Sequence, residues 1–159
     1  MNHQSPRGLT LIELMAAVAV AAILMAVAVP SFTQAIAKAR LEGAVSEMTI
    51  DLQYARTQAI RRRSSATLAI DAAGTGYTLA YANPATGASV IFKTVTLPSG
   101  VIATANTSLQ FTSLRGLAAA QTIDIGGVRT NATLRVRTNA TGRVQTCTPS
   151  GSFRGYPIC

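Results

Sequence analysis

From Leu9 to Val29 the chain runs 21 residues in which only Thr10 and Glu13 are polar. At 1.5 Å per residue, a helix of that length matches the hydrocarbon thickness of a bilayer, so the segment predicts a membrane-spanning helix. A secretory signal would place a small-residue cleavage site after its apolar run; here the small residue, Gly8, comes before it. The helix is therefore expected to stay with the protein, with residues 1–8 removed as a leader.

Glu13 is the anomaly of this segment, because a carboxylate inside an apolar helix costs a few kcal/mol and normally marks a partner. Cleavage after Gly8 would give Leu9 a new α-amino group about one helical turn from Glu13. The partner would be this amine or that of a neighbouring copy; the plainer reading is a side chain that snorkels to the membrane edge.

Gly8-Leu9-Thr10-Leu11-Ile12-Glu13-Leu14, an apolar stretch and then Pro30 together resemble the class III signal of type IV pilins and type II secretion pseudopilins. The resemblance implies that a prepilin peptidase cuts between Gly8 and Leu9 and methylates the new N-terminus. Glu13 would be the fifth mature residue and Pro30 the twenty-second, as in the family pattern, with Leu9 in place of the commoner Phe or Met.

Beyond the apolar run the composition changes. Twelve of the 14 Lys and Arg residues follow Lys38, against five acids, so this part is basic and suited to nucleic acid, anionic lipid or acidic partners. Leu41, Val45, Met48, Leu52, Ala55 and Ala59 alternate steps of four and three, the spacing of one helix face. The helix should thus run from about Thr10 to about Arg62, with a kink at Pro30 and a weak point at Gly43. Arg61-Arg62-Arg63 would close it, favoured by the helix dipole, or else belong to a polyanion-binding surface.

From Ser64 the pattern changes to period two. Ala66–Ile70, Tyr77–Tyr81, Val90–Leu97, Ser108–Phe111, Gln121–Ile125, Ala132–Thr138 and Arg143–Cys147 read as about seven strands, with turns at Asn83-Pro84, Thr86-Gly87, Pro98-Ser99-Gly100 and Gly126-Gly127. The expected fold is α+β, one long N-terminal helix with a C-terminal antiparallel β-sheet head packed on the second half of that helix. The expected divisions are 1–8 leader, 9–30 membrane and assembly helix, 31–63 packed half of the helix, and 64–159 head.

Leu52-Gln53-Tyr54-Ala55-Arg56-Thr57-Gln58-Ala59-Ile60-Arg61 resembles the LQYARxxAxxR signature of the GspH/FimT group, which includes the minor pseudopilin H of type II secretion and the minor pilins FimT and FimU. The resemblance implies the type IV pilin fold. It further implies an inner-membrane protein with a periplasmic head, later built into a pilus or pseudopilus with other pilins through the N-terminal helix.

Catalysis has no supporting constellation. The single histidine, His3, lies in the expected leader, and Asp71 and Asp124 stand far apart without a nucleophile motif. Cys147 and Cys159 are the only cysteines and lack metal-site spacing, so no metal and no cofactor is expected. In an oxidising compartment the pair would close a short loop contributing about 3 kcal/mol.

The C-terminal third carries a near-repeat, Arg129-Thr-Asn-Ala-Thr-Leu-Arg135-Val136 and Arg137-Thr-Asn-Ala-Thr-Gly-Arg143-Val144, and from Ile125 to Cys159 there are five Arg and no acid. A three-residue loop of Ala140, Thr141 and left-handed Gly142 would set Thr138 opposite Val144 and Val136 opposite Thr146. Leu134, Val136 and Val144 then share the buried face, while Arg135, Arg137, Arg143 and Gln145 share the exposed one; a four-residue loop would split the apolar set. A Cys147–Cys159 disulfide would lay Phe153, Arg154 and Tyr156 beside that face, where aromatic rings and arginines suit nucleic acid, or the rings would simply pack on the sheet.

FimT-like members bind DNA, and the resemblance implies a GRxR motif near the chain end. Here it reads Gly142-Arg143-Val144-Gln145, with Arg135 and Arg137 on the adjoining strand available to supply the second charge. Two functions are expected: a minor pilin that binds double-stranded DNA non-specifically for uptake in natural transformation, through Arg135, Arg137, Arg143 and Gln145 with Arg129 and Arg154 assisting; or a structural FimU-like minor pilin or secretion pseudopilin that primes or caps a fibre.

Overall fold

The structure is a computed structural model describing residues 10–151, 153 and 155–159; Gly8, Leu9 and Arg154, all singled out above, lie outside that set. One helix, α1 (Leu11–Arg62), precedes eight strands: β1 (Ala66–Ile70), β2 (Gly76–Ala82), β3 (Ser89–Thr96), β4 (Val101–Ala105), β5 (Leu109–Phe111), β6 (Gln121–Gly127), β7 (Thr133–Thr138) and β8 (Val144–Cys147). The chain divides into two compact units, Met1–Ile36 and Ala37–Cys159.

In the first unit, Thr10 starts the helix. Its hydroxyl accepts the Glu13 backbone N–H at 3.4 Å, the N-cap arrangement that satisfies an orphan donor of the first turn. Leu11, Ile12, Met15, Ile23 and Leu24 are exposed. An 18-residue window here has mean hydropathy 2.6, so by length and composition the helix can cross a membrane. The helix runs unbroken through positions 30 and 43.

In the second unit the predicted stripe Leu41, Val45, Met48, Leu52, Ala55 and Ala59 is fully buried. It shares one core with two four-stranded antiparallel sheets, ordered β3-β2-β1-β5 and β4-β6-β7-β8. Leu68, Leu79 and Phe111 enter from the first sheet, and Ile123, Ile125, Leu134 and Val136 from the second. Strict alternation puts these residues on one face of each strand.

Two elements differ from the sequence expectation. β4 is an eighth strand, whose inward residues Val101 and Ala103 are buried while Ile102 faces out, so its apolar residues do not alternate. Gly126-Gly127 is not a turn but the end of β6, and the chain reverses just after it, where the Thr130 N–H donates to the Gly127 carbonyl at 3.1 Å.

The helix ends in a Schellman motif: the Ser64 N–H donates to the Ala59 carbonyl at 3.1 Å and the Arg63 N–H to the Ile60 carbonyl at 3.2 Å. Arg63 holds the left-handed position of this motif, with φ 50°. Farther back on α1, buried Asp51 accepts hydrogen bonds from the Tyr77 hydroxyl at 2.8 Å and from Lys93 Nζ at 2.6 Å, tying the helix to β2 and β3.

Candidate functional site

The β7–β8 hairpin forms in the register that burial favours: Thr138 lies opposite Val144, Arg137 opposite Gln145, Val136 opposite Thr146 and Arg135 opposite Cys147. Its loop is residues 140–142, closed by the Asn139 N–H donating to the Arg143 carbonyl, with Gly142 at φ 74°. Asn139 Oδ1 accepts the backbone N–H groups of Thr141 and Arg143, a local side-chain turn that explains Asn at this position. Leu134, Val136 and Thr138 point into the core, so Arg135 and Arg137 point outward.

The arginines of this face differ in their surroundings. Arg143 is exposed beside the loop, and Arg137, half-buried, stands next to Gln145. Arg137 and Gln145 line an open depression of about 400 Å³ together with Gln121, Thr122 and Asn139. Arg135 is bound to Asp124 across the β6–β7 pairing, with Nε to Oδ1 at 2.6 Å and a second guanidinium nitrogen to Oδ2 at 2.8 Å. That hydrogen bonding holds the guanidinium pKa above its ordinary value. The two-point pair neutralises Arg135, so of the two candidates for the missing motif charge it is Arg137 that stands unpaired by any acid among the described residues.

Arg129 is exposed in the turn before β7, at the opposite end of that strand from the 140–142 loop. The strand alone puts it on the order of 17 Å from the loop, so it does not converge with Arg143. Cys147 and Cys159 form a disulfide with Cα atoms 5.0 Å apart, and the Thr148 N–H donates to the Pro157 carbonyl at 2.8 Å. The tail aromatics do not form a stacking platform beside the arginines. Phe153 and Tyr156 meet edge to face at 5.6 Å and pack against the core. Burial first, then the Glu42 carboxylate, pushes the Tyr156 pKa up.

One residue with a direct hold on this hairpin was not legible as such. Arg56, in the signature stretch of α1, donates from Nε to the Gly116 carbonyl at 3.1 Å and from its terminal nitrogen to the Thr141 carbonyl at 3.0 Å. It thereby clamps the β5–β6 connection and the hairpin loop to the helix. Gly142 and Gly116 approach so closely that a Cβ on Gly142 would stand 2.0 Å from the Gly116 carbonyl oxygen. No spacing in the sequence links residues 56, 116 and 141; only the register brings them together.

Among the described residues no cluster of His, Cys, Asp or Glu could hold a metal ion. A long helix with a membrane-length apolar stretch, completed by two antiparallel sheets on a buried helix face, is the architecture of pilin-type fibre subunits. The chain is similar to the type IV minor pilin FimU of Pseudomonas aeruginosa, at 22% identity and TM-score 0.58 over 74% of this chain and 95% of that one. It is also similar to the minor pseudopilin EpsH of the Vibrio cholerae Type 2 Secretion System, at 15% identity and TM-score 0.60 over 70% and 99%. No curated protein matches the chain by sequence. Residues 4–29 match the prokaryotic N-terminal methylation motif, and residues 44–142 match the family of the type II transport protein GspH. The second match covers more than half of the chain, which belongs to that family as a type IV pilin-like protein.

Proposed function

We propose that this protein is a FimT-like minor pilin whose head binds double-stranded DNA without sequence preference, serving DNA uptake in natural transformation. On this reading a prepilin peptidase removes residues 1–8, the protein waits in the inner membrane with its head in the periplasm, and a pilus then takes it up. The observation that carries the DNA reading is the exposed face of the β7–β8 hairpin, where Arg143, Arg137 and Gln145 lie together and, among the described residues, no acid pairs with either arginine. Two guanidinium groups and an amide are phosphate-contacting chemistry, and among the described residues no helix follows α1 that could serve as a recognition helix. Arg135 is on this reading a structural residue that fixes β7 against β6.

A second reading, a structural minor pilin or secretion pseudopilin that primes or caps a fibre, is supported by the fold likeness to FimU and EpsH. Fluorescence titration of a labelled duplex with the full chain in detergent separates the two. Wild type is expected to bind in the micromolar range and to weaken as salt rises, and Arg143→Gln to lower the log–log salt slope by about 0.9. Absence of binding at low salt would leave the structural reading.

A further inference from the structure

The hairpin loop does not stand by itself. Register carries four other segments to the same end of the head: Ala66 at the start of β1 pairs with Phe111 at the end of β5, the Ala82 N–H at the end of β2 donates to the Ser65 carbonyl, and Thr138 pairs with Gln121. The last turn of α1 is joined to this end through Ser64, whose hydroxyl donates to the Ala82 carbonyl. Arg56 links that helix to Gly116 and Thr141.

The charges sort accordingly. Arg61, Arg63, Arg115 and Arg143 are all exposed at this end, and no salt bridge engages any of them among the described residues. The acids lie elsewhere. Asp51 is ten residues back along the helix, about 15 Å, and faces Lys93; Asp71 follows β1 at its far end, and Asp124 is held by Arg135.

Arg63 supplies an independent sign. It occupies the left-handed position of the helix-ending motif, φ 50°, where glycine is the unstrained residue and any side chain costs conformational energy. The helix dipole favours a cation here, but Arg61 and Arg62 already supply it two residues and one residue earlier, so the guanidinium of Arg63, on its strained backbone, is the one left for a role at the surface.

We infer that Arg61, Arg63 and Arg115 continue the hairpin site into one surface that follows a double-stranded DNA backbone across the end of the head. The inference rests on the DNA-binding reading above and enlarges its site. Arg63 follows the helix end seven residues after Arg56, about 10 Å at the helical rise, and Arg56 holds Gly116, next to Arg115, and Thr141, two residues before Arg143, so the cations are spaced out rather than gathered round a point. A spread of exposed guanidinium groups matches successive phosphates of a stiff polyanion better than one small anion.

The test is a salt-dependent duplex titration of the full chain in detergent, comparing wild type, Arg143→Gln, Arg115→Gln, Arg63→Gly and Arg129→Gln. Arg115→Gln and Arg63→Gly are each expected to weaken binding and to lower the log–log salt slope by about 0.9. Arg63→Gly should at the same time raise the thermal unfolding midpoint, so that its loss of binding is not a loss of fold. Arg129→Gln, at the other end of β7, should match wild type. If Arg143→Gln weakens binding while Arg63→Gly and Arg115→Gln bind as wild type does, the enlarged surface is wrong and the hairpin site stands. If wild type does not bind DNA, both are wrong.

Discussion

Asp51 is 5% exposed, and three hydrogen bonds reach its carboxylate: two from Lys93 Nζ, at 2.6 and 2.7 Å, and one from the Tyr77 hydroxyl at 2.8 Å, the partners a buried acid requires. Glu47, 3.6 Å from the same ammonium group, adds to the field. Burial and then the bond to Asp51 push the Tyr77 pKa well above its usual value, and the bond to Asp51 raises that of Lys93. Both groups hold their protons more tightly folded than unfolded. Their contribution to stability is thus complete below the unfolded values, near pH 10, and is lost as the pH rises through the folded ones. The head should consequently unfold in alkali above about pH 10, with Tyr77 ionising only as it unfolds. Tyrosinate absorbance and circular dichroism followed together would check this. Tyr77→Phe removes a charge-assisted bond and should lower stability by about 1.5–3 kcal/mol; ionisation of every tyrosine before unfolding would refute the account.

The strands were legible because each buries one face. Ala66–Ile70 is β1 to the residue, and the β7–β8 register follows from keeping Leu134 and Val136 inside. β4 was missed because Val101 and Ile102 are adjacent apolar residues pointing opposite ways, with small residues after them, so no alternation shows. At the candidate site the hairpin face could be read, but not the fate of Arg135: its partner Asp124 is 11 residues away and meets it only through the β6–β7 pairing. The Gly142–Gly116 contact was equally invisible, although Gly142 itself was expected as the left-handed loop residue. That contact predicts the outcome of Gly142→Ala. The new Cβ would stand 2.0 Å from the Gly116 carbonyl oxygen, on a backbone at φ 74° that alanine disfavours. A loss of about 1–2 kcal/mol is expected from the backbone alone, with more from the clash, and amide exchange should speed up in residues 139–143 and 112–117 together. A loss confined to the hairpin loop would show that the two segments are not held as one by Arg56.

For the whole molecule, the decisive question is how an apolar helix with a single carboxylate enters a fibre. Leu11, Ile12, Leu14 and Met15 around Glu13 are all more than half exposed, and on the proposed reading this surface is covered by lipid before assembly and by other helices after it. Thr10 already caps the Glu13 N–H, and the carboxylate at the third helical position suits the positive end of the dipole, so the helix itself tolerates it. Neither effect offsets the few kcal/mol of placing the charge in hydrocarbon. No described cation lies within salt-bridge distance of Glu13, and the Leu9 amine expected after cleavage is outside the described residues. On the proposed reading the carboxylate meets such an amine when copies pack together. Glu13→Ala should then reach the membrane at wild-type levels or better, yet be depleted from sheared fibres, and Glu13→Gln should be depleted as strongly, because it keeps the shape and a hydrogen-bonding group but not the charge. Mass spectrometry of the wild-type fibre fraction should find a chain beginning at Leu9. A Gln variant that assembled normally would leave the cap and the helix dipole without an ionic role for Glu13, and undiminished incorporation of the Ala variant would remove the residue from assembly altogether.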